Sequence, residues 1–185
     1  MLNETHRRTL LGLARESIAA ALDGRQPRLV EADFDEILRT PSGVFVTLTI
    51  AGQLRGCIGS IEPIAPLYQA IVRSATNAAF RDPRFVPLTR VELRRIRLEV
   101  SVMGPVVPVQ EIEEIVVGRD GLIISRGSSA GLLLPQVATD YEWDRDTFLS
   151  QTCVKAGLPP ALWRTGQCRI ERFSAEVFGE VDIDR

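Results

Sequence analysis

The first part of the chain has apolar residues at helical spacing. They recur every three or four positions from Thr5 to Leu22, and the pair Asp23-Gly24 follows as a typical stop signal. This pattern predicts an amphipathic helix. Residues 25–42 contain two prolines around a weak apolar pattern, so we expect connecting chain with one helical turn.

The apolar pattern changes to a period of two after residue 43. Val44 to Ile50 is rich in β-branched residues, Ala51-Gly52 marks a turn, and Leu54 to Ser60 continues the pattern. The two runs predict a β-hairpin. Pro66 then opens an alanine-rich helix, which we expect to end before Pro83.

The second half alternates between groups of strands and helices. Thr89 and Glu92 have capping-box spacing for a short helix through Ile96, and a strand is predicted from Leu98 to Val102. The other predictions are strands at Ile115 to Val117, Leu122 to Ser125, Leu132 to Leu134 and Arg169 to Phe178, a turn at Asp120-Gly121, and a helix from Asp140 to Ala156 stopped by Gly157.

This order of elements indicates an α+β fold with mostly antiparallel sheet, because helices fall between groups of strands. The 185 residues are enough for one domain with a sizeable core. Residues 104–108 are dense in glycine and proline. We therefore predict a single domain over residues 1–185, organised as two packed lobes with a hinge near residues 104–108.

Charge and composition narrow the function classes. The chain has 22 basic and 24 acidic residues, a net charge of -2, and only 6% aromatic residues. Lys155 is the sole lysine, and the arginines are scattered along the sequence without a basic block. These features argue against a nucleic-acid partner. No leader segment and no apolar run of about 18 residues is present, which predicts a cytoplasmic protein away from membranes.

The cysteines and the histidine exclude several common sites. Cys57, Cys153 and Cys168 are far apart and form no C-x-x-C pair, so we predict no disulfide framework and no metal site. His6 is the only histidine and lies in the first predicted helix, without context for a Cys-His pair. No phosphate-binding glycine motif is present, so no cofactor is predicted. Cys153 and Cys168 are interpreted as structural.

Arg55 and Cys57 form the most informative segment. Strict alternation along a strand would put both residues on one face with Gly59, about 6.6 Å apart along the backbone. A guanidinium there would favour the thiolate, and Gly56 and Gly59 would leave room for a bulge or for the close approach of a ligand or another backbone. Alternatively, Cys57 is a small buried hydrophobe and Arg55 pairs with a surface carboxylate.

A second cluster follows the alanine-rich helix. Asp82 is a candidate hydrogen-bond or proton acceptor, and Arg84 is a candidate clamp for a carboxylate or phosphate. The alternative is a turn in which Asp82 accepts from backbone amides and Arg84 covers the helix end. The side chain of Gln136 is a candidate substrate ligand or a loop tie.

These segments together resemble the AMMECR domain family, whose bacterial and archaeal members are called AmmeMemoRadiSam system protein A. The resemblance rests on ordered motifs along nearly the whole chain: Gly43-Val44-Phe45-Val46-Thr47-Leu48, Leu54-Arg55-Gly56-Cys57-Ile58-Gly59, Ala78-Ala79-Phe80, Asp82-Pro83-Arg84-Phe85, Glu99-Val100-Ser101-Val102, Gly118 with Asp120-Gly121, Leu133-Leu134-Pro135-Gln136-Val137 and Lys155-Ala156-Gly157-Leu158.

The resemblance implies two lobes of antiparallel sheet, with the Arg-Gly-Cys strand facing a groove between them. It also implies two partners, a Memo-like protein and a radical S-adenosylmethionine enzyme. On the matching positions, we predict a catalytic set and a substrate-binding set. The catalytic set is Cys57, Arg55 and Asp82, and the binding set is Gly56, Gly59, Arg84, Gln136 and Lys155.

Two functions remain open from the sequence. The first is an enzyme or enzyme subunit of a modification system, with Cys57 as nucleophile or thiol relay. The second is a non-catalytic module that presents a substrate or docks a partner enzyme through the same strand.

Overall fold

A computed structural model describes residues 2–180 of the protein. The chain forms two compact units, and the predicted α+β fold is confirmed. The first unit contains the chain up to Met103 together with the segment from Glu176 onward, and the second contains Gly104–Ala175. No helix within residues 2–180 combines the length and apolar character needed to cross a bilayer.

Four helices and three full strands build the first unit. In chain order they are α1 (Glu4–Leu22), α2 (Glu36–Arg39), β1 (Val44–Ile50), β2 (Gln53–Ser60), α3 (Leu67–Phe80), α4 (Arg90–Leu93) and β3 (Ile96–Met103). The predicted hairpin is confirmed: β1 and β2 are antiparallel, and Ala51 and Gly52 make the turn with φ of 51° and 79°. β3 pairs with the other edge of β1, so that β1 is the middle strand of these three.

The core of the first unit follows from the alternation in β1. Val44, Val46 and Leu48 are buried, whereas the residues between them are only partly covered. Buried residues of α1 and α3 pack in the same apolar cluster. The alanines of α3 permit a close approach to the sheet, and the Ala78 carbonyl lies against Gly56 of β2.

The second unit contains four strands and two helices. They are β4 (Val107–Pro108), β5 (Asp120–Arg126), β6 (Ser129–Leu133), α5 (Pro135–Asp140), α6 (Arg145–Lys155) and β7 (Arg169–Gly179), whose last residues belong to the first unit. Antiparallel pairing gives the strand order β4-β7-β5-β6. Cys153 is fully buried in the core of this unit, with Phe148 and Leu149.

Two predictions near Asp120 are wrong. Residues 115–117 are not a strand, because the buried Asp120 carboxylate accepts the Val116 N–H at 2.9 Å and ties this segment into a turn. Asp120-Gly121 is not a turn, since β5 begins at Asp120. The hairpin turn lies at Gly127-Ser128, where Gly127 adopts a φ of 58°.

The helix predicted from Asp140 to Ala156 begins only at Arg145, as α6. α5 ends at Asp140, and Glu142 has a positive φ of 54°, which interrupts the helical backbone. Asp144, and not Asp140, caps the second helix by accepting the Thr147 N–H at 2.8 Å. The helix capped by Thr89 is also shorter than predicted, because Ile96 already begins β3.

Candidate functional site

A β-bulge interrupts β2 at Arg55. Leu54 is opposite Thr49 and Gly56 is opposite Leu48, which leaves Arg55 without a partner on β1. The prediction that Arg55 and Cys57 share a face assumed unbroken alternation, and the bulge overturns that assumption. Arg55 is buried, and its hydrogen bonds involve the segment that follows α3.

The Arg55 guanidinium is held by three hydrogen bonds. Nε donates to Glu92 Oε1 at 2.8 Å, and Nη2 donates to Glu92 Oε2 at 3.2 Å and to the Val86 carbonyl at 2.9 Å. The hydrogen bonds from Arg55 and from the Thr89 amide lower the pKa of Glu92 to about 2. Nη1 of Arg55 is buried and has no partner among residues 2–180.

The Cys57 side chain lies next to Thr47. The two residues are cross-strand neighbours, and the Thr47 hydroxyl donates to the Cys57 sulfur at 3.3 Å. Cys57 is partly exposed, unlike Cys153 in the second core. The sulfur therefore combines a hydrogen-bond donor with access to solvent.

Asp82 and Arg84 bind the backbone of Cys57 from the side opposite β1. The Asp82 Oδ2 atom accepts the Cys57 N–H at 2.9 Å, and Arg84 Nη2 donates to the Cys57 carbonyl at 3.3 Å. We call this arrangement the Asp82–Arg84 clamp. It takes the place of a neighbouring strand at a position where β2 has unpaired polar groups.

The clamp is internally rigid. Asp82 Oδ1 accepts from the Arg84 backbone N–H at 3.1 Å and from Arg84 Nε at 2.9 Å, and Oδ2 accepts from Arg84 Nη2 at 2.7 Å. The Arg84 side-chain hydrogen bonds, together with the Cys57 and Arg84 amides, hold the pKa of Asp82 well below its usual range. Asp82 is thus ionised and is a weak proton acceptor at neutral pH.

The two glycines of the strand lie against backbone and ring atoms. A Cβ at Gly56 would come within 2.2 Å of the Ala78 carbonyl of α3. A Cβ at Gly59 would meet the Val44 carbonyl at 2.1 Å and the Phe45 ring at 2.6 Å. Both positions require glycine for close packing.

The sequence profile of the AMMECR1 family matches residues 11–178. The chain belongs to the AMMECR1 family. It is 45% identical over 186 residues to a protein of Methanothermobacter thermautotrophicus, covering 97% of this chain and 96% of the relative. It is also 41% identical to a protein of Aquifex aeolicus over 180 residues, covering 94% and 92% of the two chains.

The fold has a solved counterpart in a crystal structure of an uncharacterized protein from Pyrococcus horikoshii. The two chains share 40% identity with a TM-score of 0.85, and the match covers 92% of this chain and 89% of the other. The architecture described above is therefore that of this AMMECR1-family relative.

Two predicted binding residues belong to the second unit. Gln136 is the second residue of α5, and its Oε1 atom is buried without a partner among residues 2–180. Lys155 is exposed at the end of α6. The backbone there packs closely on β6, so that a Cβ at Gly131 would lie 2.6 Å from the carbonyl carbon of Lys155. Their membership in one site with Cys57 stays a prediction.

Sequence reasoning missed two residues that contact the site. Thr47 is visible in the sequence only as a strand residue. Unbroken pairing from the turn at residues 51–52 would have placed Gly56 opposite it, and the bulge at Arg55 shifts the register so that Thr47 faces Cys57. Glu92 is recognisable as the third helical residue of a capping box, and its second role toward Arg55 depends on contact across 37 positions.

Proposed function

We propose that this AMMECR1-family protein is an enzyme subunit of a modification system and that its reacting group is the Cys57 thiol. The observation that carries the proposal is the 3.3 Å contact from the Thr47 hydroxyl to a partly exposed Cys57 sulfur. The Asp82–Arg84 clamp fixes the backbone beneath that sulfur. Fixed position, a donor and solvent access are what a reacting thiol needs.

The other two cysteines support this choice by contrast. Burial raises the pKa of Cys153, which lies in the second core, and burial also raises the pKa of Cys168. A buried thiol with a raised pKa is a poor nucleophile. Of the three cysteines, Cys57 has the surroundings best suited to reaction.

The neighbouring residues take different roles in this proposal. Asp82 and Arg55 position the strand, since Asp82 holds the Cys57 amide and Arg55 anchors the bulge to Glu92. Arg84 is 53% exposed, so its guanidinium is available to an anionic group of a substrate while it stays paired with Asp82. We place Gln136 and Lys155 in the substrate-binding set because they match the motifs of the family.

The partners in the proposal are a Memo-like protein and a radical S-adenosylmethionine enzyme. These two partners are carried over from the family resemblance noted in the sequence. Tagged protein from a host that encodes all three should retain both partners on an affinity column. Retention of neither at native expression levels would contradict this part of the proposal.

The central experiment replaces Cys57 by Ser and tests whether the variant complements a deletion of the gene. Serine keeps the size and removes the soft sulfur, so we expect normal thermal melting and loss of function. Cys168→Ser is the matched control, with function expected to remain. Thr47→Val tests the contact between the Thr47 hydroxyl and the Cys57 sulfur, because it removes only that hydrogen-bond donor. We expect slower alkylation of Cys57 by iodoacetamide in this variant.

Full complementation by Cys57→Ser would refute a reacting thiol and favour a non-catalytic module that presents a substrate or docks a partner. In that case the loss of function should instead follow variants of the exposed Arg84 side chain. Alkylation of Cys153 as fast as that of Cys57 in the native protein would also contradict the proposal.

A further inference from the structure

A second candidate site lies in the first unit and shares no residue with the site around Cys57. It is a cavity of about 620 Å³ between the exposed side of α1 and the start of β3. Its charged lining residues are Arg8, Arg15, Arg94, Arg95, Arg97 and Glu180. We call it the arginine cavity. The sequence shows arginines without a basic block, and the fold gathers five of them around one space.

Arg15 and Glu180 neutralise each other within the cavity. Arg15 Nε and Nη2 donate to the two oxygens of Glu180 at 2.6 and 2.7 Å. Glu180 Oε2 also accepts the Leu98 N–H at 3.0 Å, and Arg15 donates further to the carbonyls of Leu93 and Ile96. The only carboxylate among the described lining residues is therefore already engaged.

The remaining lining arginines leave an excess of positive charge. The guanidinium groups of Arg94, Arg95 and Arg97 are exposed and have no hydrogen-bond or ion-pair partner among residues 2–180. Arg8 is paired with Glu4 on the surface of α1. Three positive charges without a partner carboxylate among residues 2–180 thus meet at one cavity. Such a concentration of like charge attracts anions strongly.

We propose that the arginine cavity binds a small molecule through a diphosphate or triphosphate group. Three free guanidinium groups match the charge of such a group, and each can offer two parallel N–H donors to phosphate oxygens. The volume lies in the range of small-molecule sites, about 300–1,000 Å³. The apolar lining residues, Leu11 and Ile96, are themselves nearly buried, so recognition falls on the phosphates.

Calorimetric titration of the purified chain tests this directly. We expect sodium tripolyphosphate and pyrophosphate to bind, and inorganic phosphate and citrate to bind at least about tenfold more weakly. A titration with ATP distinguishes the two possible sources of the phosphate group, a nucleotide or an inorganic polyphosphate. Tighter binding of ATP than of tripolyphosphate assigns the cavity to nucleotides, and equal affinity assigns it to polyphosphates in general, and either result supports the proposal.

The variant Arg94→Gln/Arg97→Gln should weaken tripolyphosphate binding by about tenfold or more, because each lost hydrogen bond to a charged group costs about tenfold in affinity. Arg28→Gln/Arg73→Gln is the matched control, since it removes the same charge from exposed positions elsewhere in this unit. Its affinity should stay within about twofold of the original. Thermal melts verify that both variants are folded.

Three results would overturn the proposal. One is equal weakening in the two double variants, which would indicate a general charge effect. Another is citrate binding as tightly as tripolyphosphate. The third is an oligonucleotide that binds more tightly than tripolyphosphate and loses its affinity in Arg94→Gln/Arg97→Gln, because the ligand would then be a nucleic-acid backbone.

Discussion

Replacing Asp82 by Asn tests the Asp82–Arg84 clamp with almost no change in size. The Asp82 carboxylate accepts four hydrogen bonds, one from the Cys57 amide and three from Arg84, and the residue is only 3% exposed. An asparagine keeps one acceptor oxygen and turns the other into a donor that faces donors. Two charge-assisted bonds are lost, and because Arg84 is half exposed, we expect the free energy of unfolding to fall by about 2–4 kcal/mol.

The dependence on pH separates the charge from the packing. The pKa of Asp82 is lowered by folding, so its ionised form stabilises the native state above the unfolded pKa of about 3.9, and this contribution is lost as pH falls toward the folded pKa. The Asn variant has no such contribution. The stability gap between the two proteins should therefore narrow by about 1 kcal/mol between pH 5 and pH 3. Glu92 titrates in both proteins and cancels in the comparison.

Urea unfolding followed by circular dichroism at 222 nm is the appropriate assay, because α1 and α3 contribute strongly to that signal. Tryptophan fluorescence would report on the wrong unit, since Trp143 and Trp163 both lie in the second one. A gap that stays constant from pH 7 to pH 3, or an Asn variant as stable as the original chain, would refute the role assigned to the Asp82 charge.

Four further substitutions test other parts of the first and second units by urea unfolding. Gly56→Ala should lower the free energy of unfolding by more than about 2 kcal/mol, because its Cβ would come within 2.2 Å of a helix carbonyl. Gly12→Ala is the control, since it has open space and should stabilise the protein by up to about 1 kcal/mol. Equal effects of the two substitutions would contradict the packing argument. Arg55→Lys should cost about 1–3 kcal/mol and raise the pKa of Glu92, and an unchanged titration of that carboxyl by NMR would speak against the pair. Cys153→Ser should cost about 1–3 kcal/mol and leave any activity intact; lost activity at unchanged stability would disprove a structural role.

Local rules explain why many turns and helix ends are predictable from the sequence. The turn at Ala51-Gly52 is flanked by alternating apolar residues, and the stop at Gly157 has the positive φ typical of a residue just beyond a helix. The capping box at Thr89 and Glu92 is also present. In each case the residues that determine the structure lie within a few positions of one another.

The bulge and the clamp could not be predicted in the same way. Gly56 and Gly59 allow a bulge in this strand, but the sequence does not show that Arg55 is the extra residue or that the register shifts there. Asp82 meets Cys57 across 25 positions, and Arg15 of α1 donates to the Leu93 and Ile96 carbonyls across 78 and 81 positions. Such pairings depend on how helices pack on the sheet, and a single sequence does not encode that in a readable pattern.

The division of the chain has a consequence for its synthesis. The first unit is interrupted by the second, and its core includes Phe178, while the Leu2 amide donates to Glu176 at 3.1 Å. A ribosome delivers these closing residues after the whole of Gly104–Ala175 has been made. The inserted unit can therefore fold before the unit that contains the start of the chain, which reverses the usual order from the N-terminus. Nascent chains released before residue 176 would lack Phe178 and leave part of the first core uncovered, as a substrate for chaperones and proteases.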